Sequence, residues 1–135
     1  MTRGALALVA ACLAAQASAD TVRRWPEKPS PLNCDIGPDK RLIGGNEWLV
    51  YACDDEASIV IISAKGNPAG PFVFSLIRDL LGKPHLRGEG NGDKTASKAA
   101  FDELKTWTSD TTEQARQRAI AAKATALGDQ SANKR

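Results

Sequence analysis

His85 is the only histidine in the chain, so any Ser/His/Asp or Cys/His relay has to be built on it. It belongs to a strand-like run, His85-Leu86-Arg87-Gly88-Glu89. Side chains alternate along a strand, so His85 and Glu89 share one face. Asp93 follows where this run gives way to a helical pattern. An imidazole with two carboxylates suits general acid–base chemistry, which makes His85, Glu89 and Asp93 the candidate polar site of a small enzyme. Little else supports catalysis: no serine sits in a G-x-S-x-G context, the motif of a nucleophile elbow. The plainer reading makes His85 and Glu89 solvent-facing residues of an edge strand.

The segment Gly88-Glu89-Gly90-Asn91-Gly92-Asp93-Lys94-Thr95 has some features of a phosphate-binding loop, since it joins a strand to a helix and ends in Lys-Thr. Asp93 stands where such a loop needs its second glycine and would place an anion beside the phosphates. Taken as a calcium loop starting at Glu89, the segment has Lys94 at the sixth position and Ala100 at the twelfth, where glycine and a carboxylate belong. Neither a cofactor nor a metal is expected, and the segment reads as a Gly-rich turn between strand and helix. Asp54-Asp55-Glu56 gathers acids in another turn, either as solvated turn residues or as a patch for a basic partner. Of the three cysteines, Cys34 and Cys53 allow one pairing once the N-terminal segment is removed. They are not in C-x-x-C spacing, and a zinc site would have only His85 to add, so a structural disulfide is expected.

The compartment is read from the front of the chain. A single charge, Arg3, precedes an unbroken apolar run over residues 5–15, and Ala17-Ser18-Ala19 supplies the small-x-small cleavage pattern. This predicts a signal peptide over residues 1–19, cleaved after Ala19, and a periplasmic or secreted protein. Val9-Ala10-Ala11-Cys12 also resembles a lipobox, so a lipid anchor at Cys12 is the competing outcome. Against it, Leu13-Ala14-Ala15 continues the apolar run instead of opening a polar tether. No later apolar run approaches the ~18 residues of a membrane span. A formal charge of +2 for the whole chain gives no field to hold nucleic acid.

These residues must be held by something. Residues 20–33 carry Pro26, Pro29 and Pro31 among charges and read as an extended arm, with Trp25 docked onto the domain or offered to a partner. Strands are predicted over 48–53, 58–64, 72–78 and around Leu86, with turn-rich segments between them. Such short connections require antiparallel pairing. Ile59-Val60-Ile61-Ile62 is apolar on both faces, so both faces of the sheet should be at least partly covered, one of them by the arm or a partner. Ala96, Ala100, Leu104 and Trp107 lie at helical spacing behind Asp93 or Thr95 as cap. A second helix is predicted from Asp110, capped with Glu113 as a capping box, to Leu127, with Gly128 as its stop. Trp48, Phe72, Phe74, Phe101 and Trp107 are the expected core. The prediction is therefore α+β: one domain over 34–127, a four-stranded antiparallel meander followed by one or two C-terminal helices, with a flexible polar tail at 128–135.

Tyr51-Ala52-Cys53-Asp54-Asp55 before the strand at 58–64 resembles the Tyr-x-Cys segment of bacterial C-type lysozyme inhibitors, small exported β-proteins. The helical C-terminal third departs from that family's mostly β plan. Taken together, the residues imply a small exported, non-enzymatic binding or accessory protein whose partner is another envelope or secreted protein. Two alternatives remain. An inhibitor of an extracellular hydrolase would need a rigid protruding loop, at 65–70 or 54–57. A small enzyme would use His85 and Glu89.

Overall fold

In the computed structural model, which describes residues 31–134, the β-branched run Ile59-Val60-Ile61-Ile62 becomes the middle of an antiparallel meander. The strands β1 (Ile36–Ile43), β2 (Asn46–Ala52), β3 (Ile59–Ser63), β4 (Phe72–Arg78) and β5 (Pro84–Gly90) pair in sequence order. Two helices, α1 (Lys94–Leu104) and α2 (Ser109–Ala132), follow and pack on one face of the sheet. The α+β class, the antiparallel meander and the C-terminal helices are as predicted. The signal peptide, Cys12, Trp25 and all of the arm up to Ser30 lie outside the described residues.

The sheet has one strand more than the sequence analysis expected. β1 is hard to see because Gly37-Pro38 interrupts it and its inward positions start with charges. Asp39 pairs with Val50 and Arg41 with Trp48, so both point to the helix side, ahead of Ile43. Pro38 lacks an N–H and is tolerated because β1 is an edge strand with an irregular register between Ile36 and Asp39. Arg41 is held by the indole of Trp107, its guanidinium carbon 4.9 Å from the ring centre.

The core lies between the sheet and the helices. Trp48, Val50, Ile59, Ile61, Phe74 and Leu76 supply the inner sheet face and are all buried. Trp48 satisfies its indole by donating from Nε1 to the Ile43 carbonyl at 3.1 Å. Phe74 is the hub of the aromatic cluster, with ring centres 4.7 Å from Phe72, 5.1 Å from Trp48 and 6.3 Å from Phe101. These rings explain the glycines of β5. A Cβ on Gly88 would sit 2.7 Å from the Phe74 ring, and one on Gly90 2.4 Å from that of Phe72. The glycines expected to form a turn instead extend the strand, because the rings lie against its backbone.

The helix borders differ from expectation in three places. α1 ends at Leu104, so Trp107 packs on the core from the connection between the helices. Thr108, not Asp110, caps α2, its hydroxyl accepting from the Thr111 N–H at 3.2 Å. Trp107 is anchored against the core, so Thr108 is the first residue free to turn its side chain onto the helix end. Glu113 pairs instead with Arg116, at 2.9 and 2.8 Å. At the other end α2 runs through Gly128 to Ala132. An isolated glycine in an exposed helix costs only about 1 kcal/mol, too little to stop it. α2 grips the sheet through small residues: Thr112, Ala115 and Ala119 are buried, whereas Leu127 is exposed.

Candidate binding surface

Both helices cover the same side of the sheet, so the opposite side is left to the register of the strands. Leu49 pairs with Ile62, Tyr51 with Val60, Ile62 with Val73, and Val60 with Ser75. On β5, His85 pairs with Ile77, Arg87 with Ser75, and Glu89 with Val73. The outer face is therefore an apolar stripe, Leu49, Tyr51, Val60, Ile62, Val73 and Ile77, bordered along β5 by His85, Arg87 and Glu89. Ile62 is 39% exposed, and the other apolar residues of the stripe are half-buried against one another. An open trough of about 870 Å³ runs from this stripe onto the β3–β4 connection, past Ile62, Phe72, Val73 and Glu89.

The predicted polar site is not assembled. Asp93 caps α1, with its Oδ1 accepting from the Ala96 N–H at 2.8 Å. Of the two caps considered, Asp93 rather than Thr95 fills the position. Glu89 borders the trough. His85 lies at the other end of β5, where Nε2 is 2.9 Å from Asp79 Oδ2. This His–Asp pair lines a separate hollow of about 300 Å³ together with Ser75. It has the imidazole–carboxylate half of a nucleophilic relay. Among the described residues, however, no hydrogen bond joins Ser75 to His85, and the pair is solvent-exposed. Asp79 has another task, because its Oδ1 accepts from the N–H groups of Leu81 and Lys83, both at 2.9 Å. The hydrogen bond from His85 and then that from the Lys83 backbone hold its carboxyl below the ordinary value. Among the described residues, no cluster of three or more histidines, cysteines or carboxylates could hold a metal ion.

The acidic turn is mostly engaged in holding itself. Asp54 and Asn33 clasp each other: the Asp54 N–H donates to the Asn33 carbonyl at 2.8 Å, and the Asn33 N–H donates to Asp54 Oδ1 at 3.1 Å. The Cys34–Cys53 disulfide closes the same corner, as predicted, and suggests an oxidising, extracytoplasmic compartment. Asp55 accepts from the N–H groups of Ala57 and Ser58 and from the Ser58 hydroxyl. Burial raises its carboxyl, but these bonds outweigh burial and leave it below the usual value. All three acids are exposed, and Glu56 sits at a positive φ of 59°.

The sequence analysis missed Leu80 and Leu81, whose relative exposures are 106% and 93%. They form the apex of the β4–β5 hairpin. The turn below them is tied by Asp79 N–H to the Lys83 carbonyl at 3.0 Å, by Gly82 N–H to the Asp79 carbonyl at 2.8 Å, and by both oxygens of the Asp79 side chain. Arg78 adds a bond from Nη1 to the Gly82 carbonyl at 3.3 Å. The only local hint was the Gly82-Lys83-Pro84 turn just after them; that the hairpin ends there, with Asp79 tying the turn, is settled by the pairing of β4 with β5. No helix among the described residues is long and apolar enough to cross a membrane. Compared with protein-family models, curated proteins and solved structures, the chain matches none.

Proposed function

We propose that this chain is an exported, non-enzymatic binding or accessory protein that presents the outer face of its sheet to another envelope or secreted protein. The observation that carries the reading is the side of the sheet away from the helices. Its stripe of β-branched and aromatic side chains, bordered by mixed charge, has the make-up of an interface core with a polar rim. Export rests on the N-terminal sequence and on the disulfide, and it places the protein in the periplasm or medium after cleavage following Ala19. A nucleophilic or acid–base mechanism has less support, since Asp79 and Asp93 are engaged in holding a turn and a helix cap.

A photo-activated cross-linker placed at Ile62, in cells that export the chain, tests the reading. It should capture a discrete protein, whereas the same probe at Ala126 on the exposed end of α2 should not. A Val73→Lys substitution should abolish the adduct without lowering stability, because Val73 faces away from the helices. Equal labelling from both positions, or none from Ile62, would overturn the proposal. Intact mass of the exported protein checks the compartment: a start at Asp20 supports cleavage, and a lipid-bearing Cys12 replaces it with a tethered form.

A further inference from the structure

We infer that the β4–β5 hairpin is an interfacial finger that inserts Leu80 and Leu81 into a phospholipid bilayer, independently of what binds the sheet face. The last β3–β4 pair is Ile59 with Leu76, but β4 and β5 continue to pair beyond it, Ile77 with His85 and Arg78 with Pro84. The hairpin therefore projects past its neighbour before the turn begins. Ser58 Oγ accepts from the Arg78 N–H at 3.0 Å, which sets the acidic turn beside the base of the finger rather than its apex. Above that level stand the two leucines, both fully solvated.

Two adjacent leucines this exposed are surrounded by solvent on every side. A protein interface core is a patch with an apolar interior, but here the residues around the base are Arg78, Asp79, Lys83 and His85. The other large apolar side chains that are exposed lie elsewhere: Leu42 and Ile62 on the outer sheet face, Leu127 on α2, and Leu32 near the acidic turn. A bilayer boundary encloses a narrow apex from all sides without needing such a rim. At the depth where both leucines enter the acyl boundary, the exposed Lys83 reaches the level of lipid phosphates, where cations are favoured. The turn is already ordered by the Asp79 and Arg78 bonds, so insertion requires no rearrangement of the hairpin.

The test is sedimentation of the exported protein with vesicles of phosphatidylglycerol mixed with phosphatidylethanolamine. Wild type should pellet with the vesicles. Leu80→Ser combined with Leu81→Ser should weaken binding at least ~10-fold, because the binding strength follows the apolar area inserted. Lys83→Gln should weaken it by roughly fivefold. Leu42→Ser, which changes an exposed leucine on another edge, should bind like wild type. Each variant should melt at the wild-type temperature, since none of these side chains touches the core. Three results would overturn the inference: no vesicle binding by wild type, unchanged binding by the double variant, or a photo-cross-linker at Leu81 that captures protein and no lipid.

Discussion

The β1–β2 turn offers a controlled experiment, because its two glycines both sit at positive φ while their surroundings differ sharply. Gly44 has φ 59° and Gly45 φ 85°, a region that costs any L-residue roughly 1–2 kcal/mol. A Cβ on Gly45 would meet nothing within 4 Å, whereas one on Gly44 would sit 2.4 Å from the Ala100 nitrogen and 2.5 Å from the Ala99 carbonyl carbon. Those atoms are helix backbone and cannot swing aside. Gly45→Ala should therefore cost about 1–2 kcal/mol. Gly44→Ala should cost that and a further ~1–3 kcal/mol of overpacking, since α1 must back away. Its retreat also lengthens the bond from the Gly44 N–H to Glu103 Oε2, now 2.7 Å. A domain of this size shifts by about 4–8 °C per kcal/mol, so the two alanine variants should melt roughly 10 °C apart. Urea unfolding followed by tryptophan fluorescence and far-UV circular dichroism measures the difference, with Glu103→Gln as a check on the hydrogen bond alone. If the two variants proved equally stable, α1 would not rest on this turn and the packing described above would be wrong.

Other expectations follow from the same geometry. Removing the disulfide with Cys34→Ser and Cys53→Ser should lower stability by about 3 kcal/mol, read by urea unfolding, with no further effect of reductant. Phe74→Ala should cost about 3–5 kcal/mol in the same assay, because the ring is the centre of the aromatic cluster. Thr108→Ala should cost about 1 kcal/mol and Asp110→Ala less, which a thermal melt of the two single variants would distinguish. Glu113 is lowered to about 2, first by its hydrogen bond from Arg116 and then by that from Gln117. The contribution of this pair is complete above the ordinary glutamate value and fades as pH falls from about 4.5 toward about 2. The Arg116 side chain is only 12% exposed, but Glu113 is 46% exposed, so solvent screening holds the pair to about 1 kcal/mol. Glu113→Gln should flatten the acid limb of the stability curve by no more than that.

Much of the fold was legible because local physics and tertiary structure agree. The run Ile59-Val60-Ile61-Ile62 has no comfortable alternative to a strand, and the turn-rich segments around it leave no room for a parallel crossover. Asp93 could be read as a cap because a short carboxylate before a helical pattern satisfies free N–H groups locally. The candidate site was less legible. His85 and Glu89 do share a strand face, but which partner each meets depends on β4, and Asp79 was not suspected because its role in the turn appears only when the hairpin closes. Leu80 and Leu81 look like core residues in a one-dimensional reading, as hydrophobic type alone does not say where a strand ends.

Strand propensity and the amphipathic pattern from Ala96 to Leu104 are properties of neighbours along the chain, and the sequence by itself determined them, as the cysteine count did the pairing of Cys34 with Cys53. Tertiary structure decided the rest. It admitted β1, whose inward Asp39 and Arg41 make sense only beside Val50, Trp48 and Trp107. It turned the glycines of β5 from a loop into a strand, because the rings of Phe72 and Phe74 need bare backbone to lie against. It also put both helices on one side of the sheet, so that neither covers the outer face, and set the leucine pair at the end of a hairpin that outruns its neighbour. Exposure is a relation between distant parts of the chain, so no local pattern could have specified it.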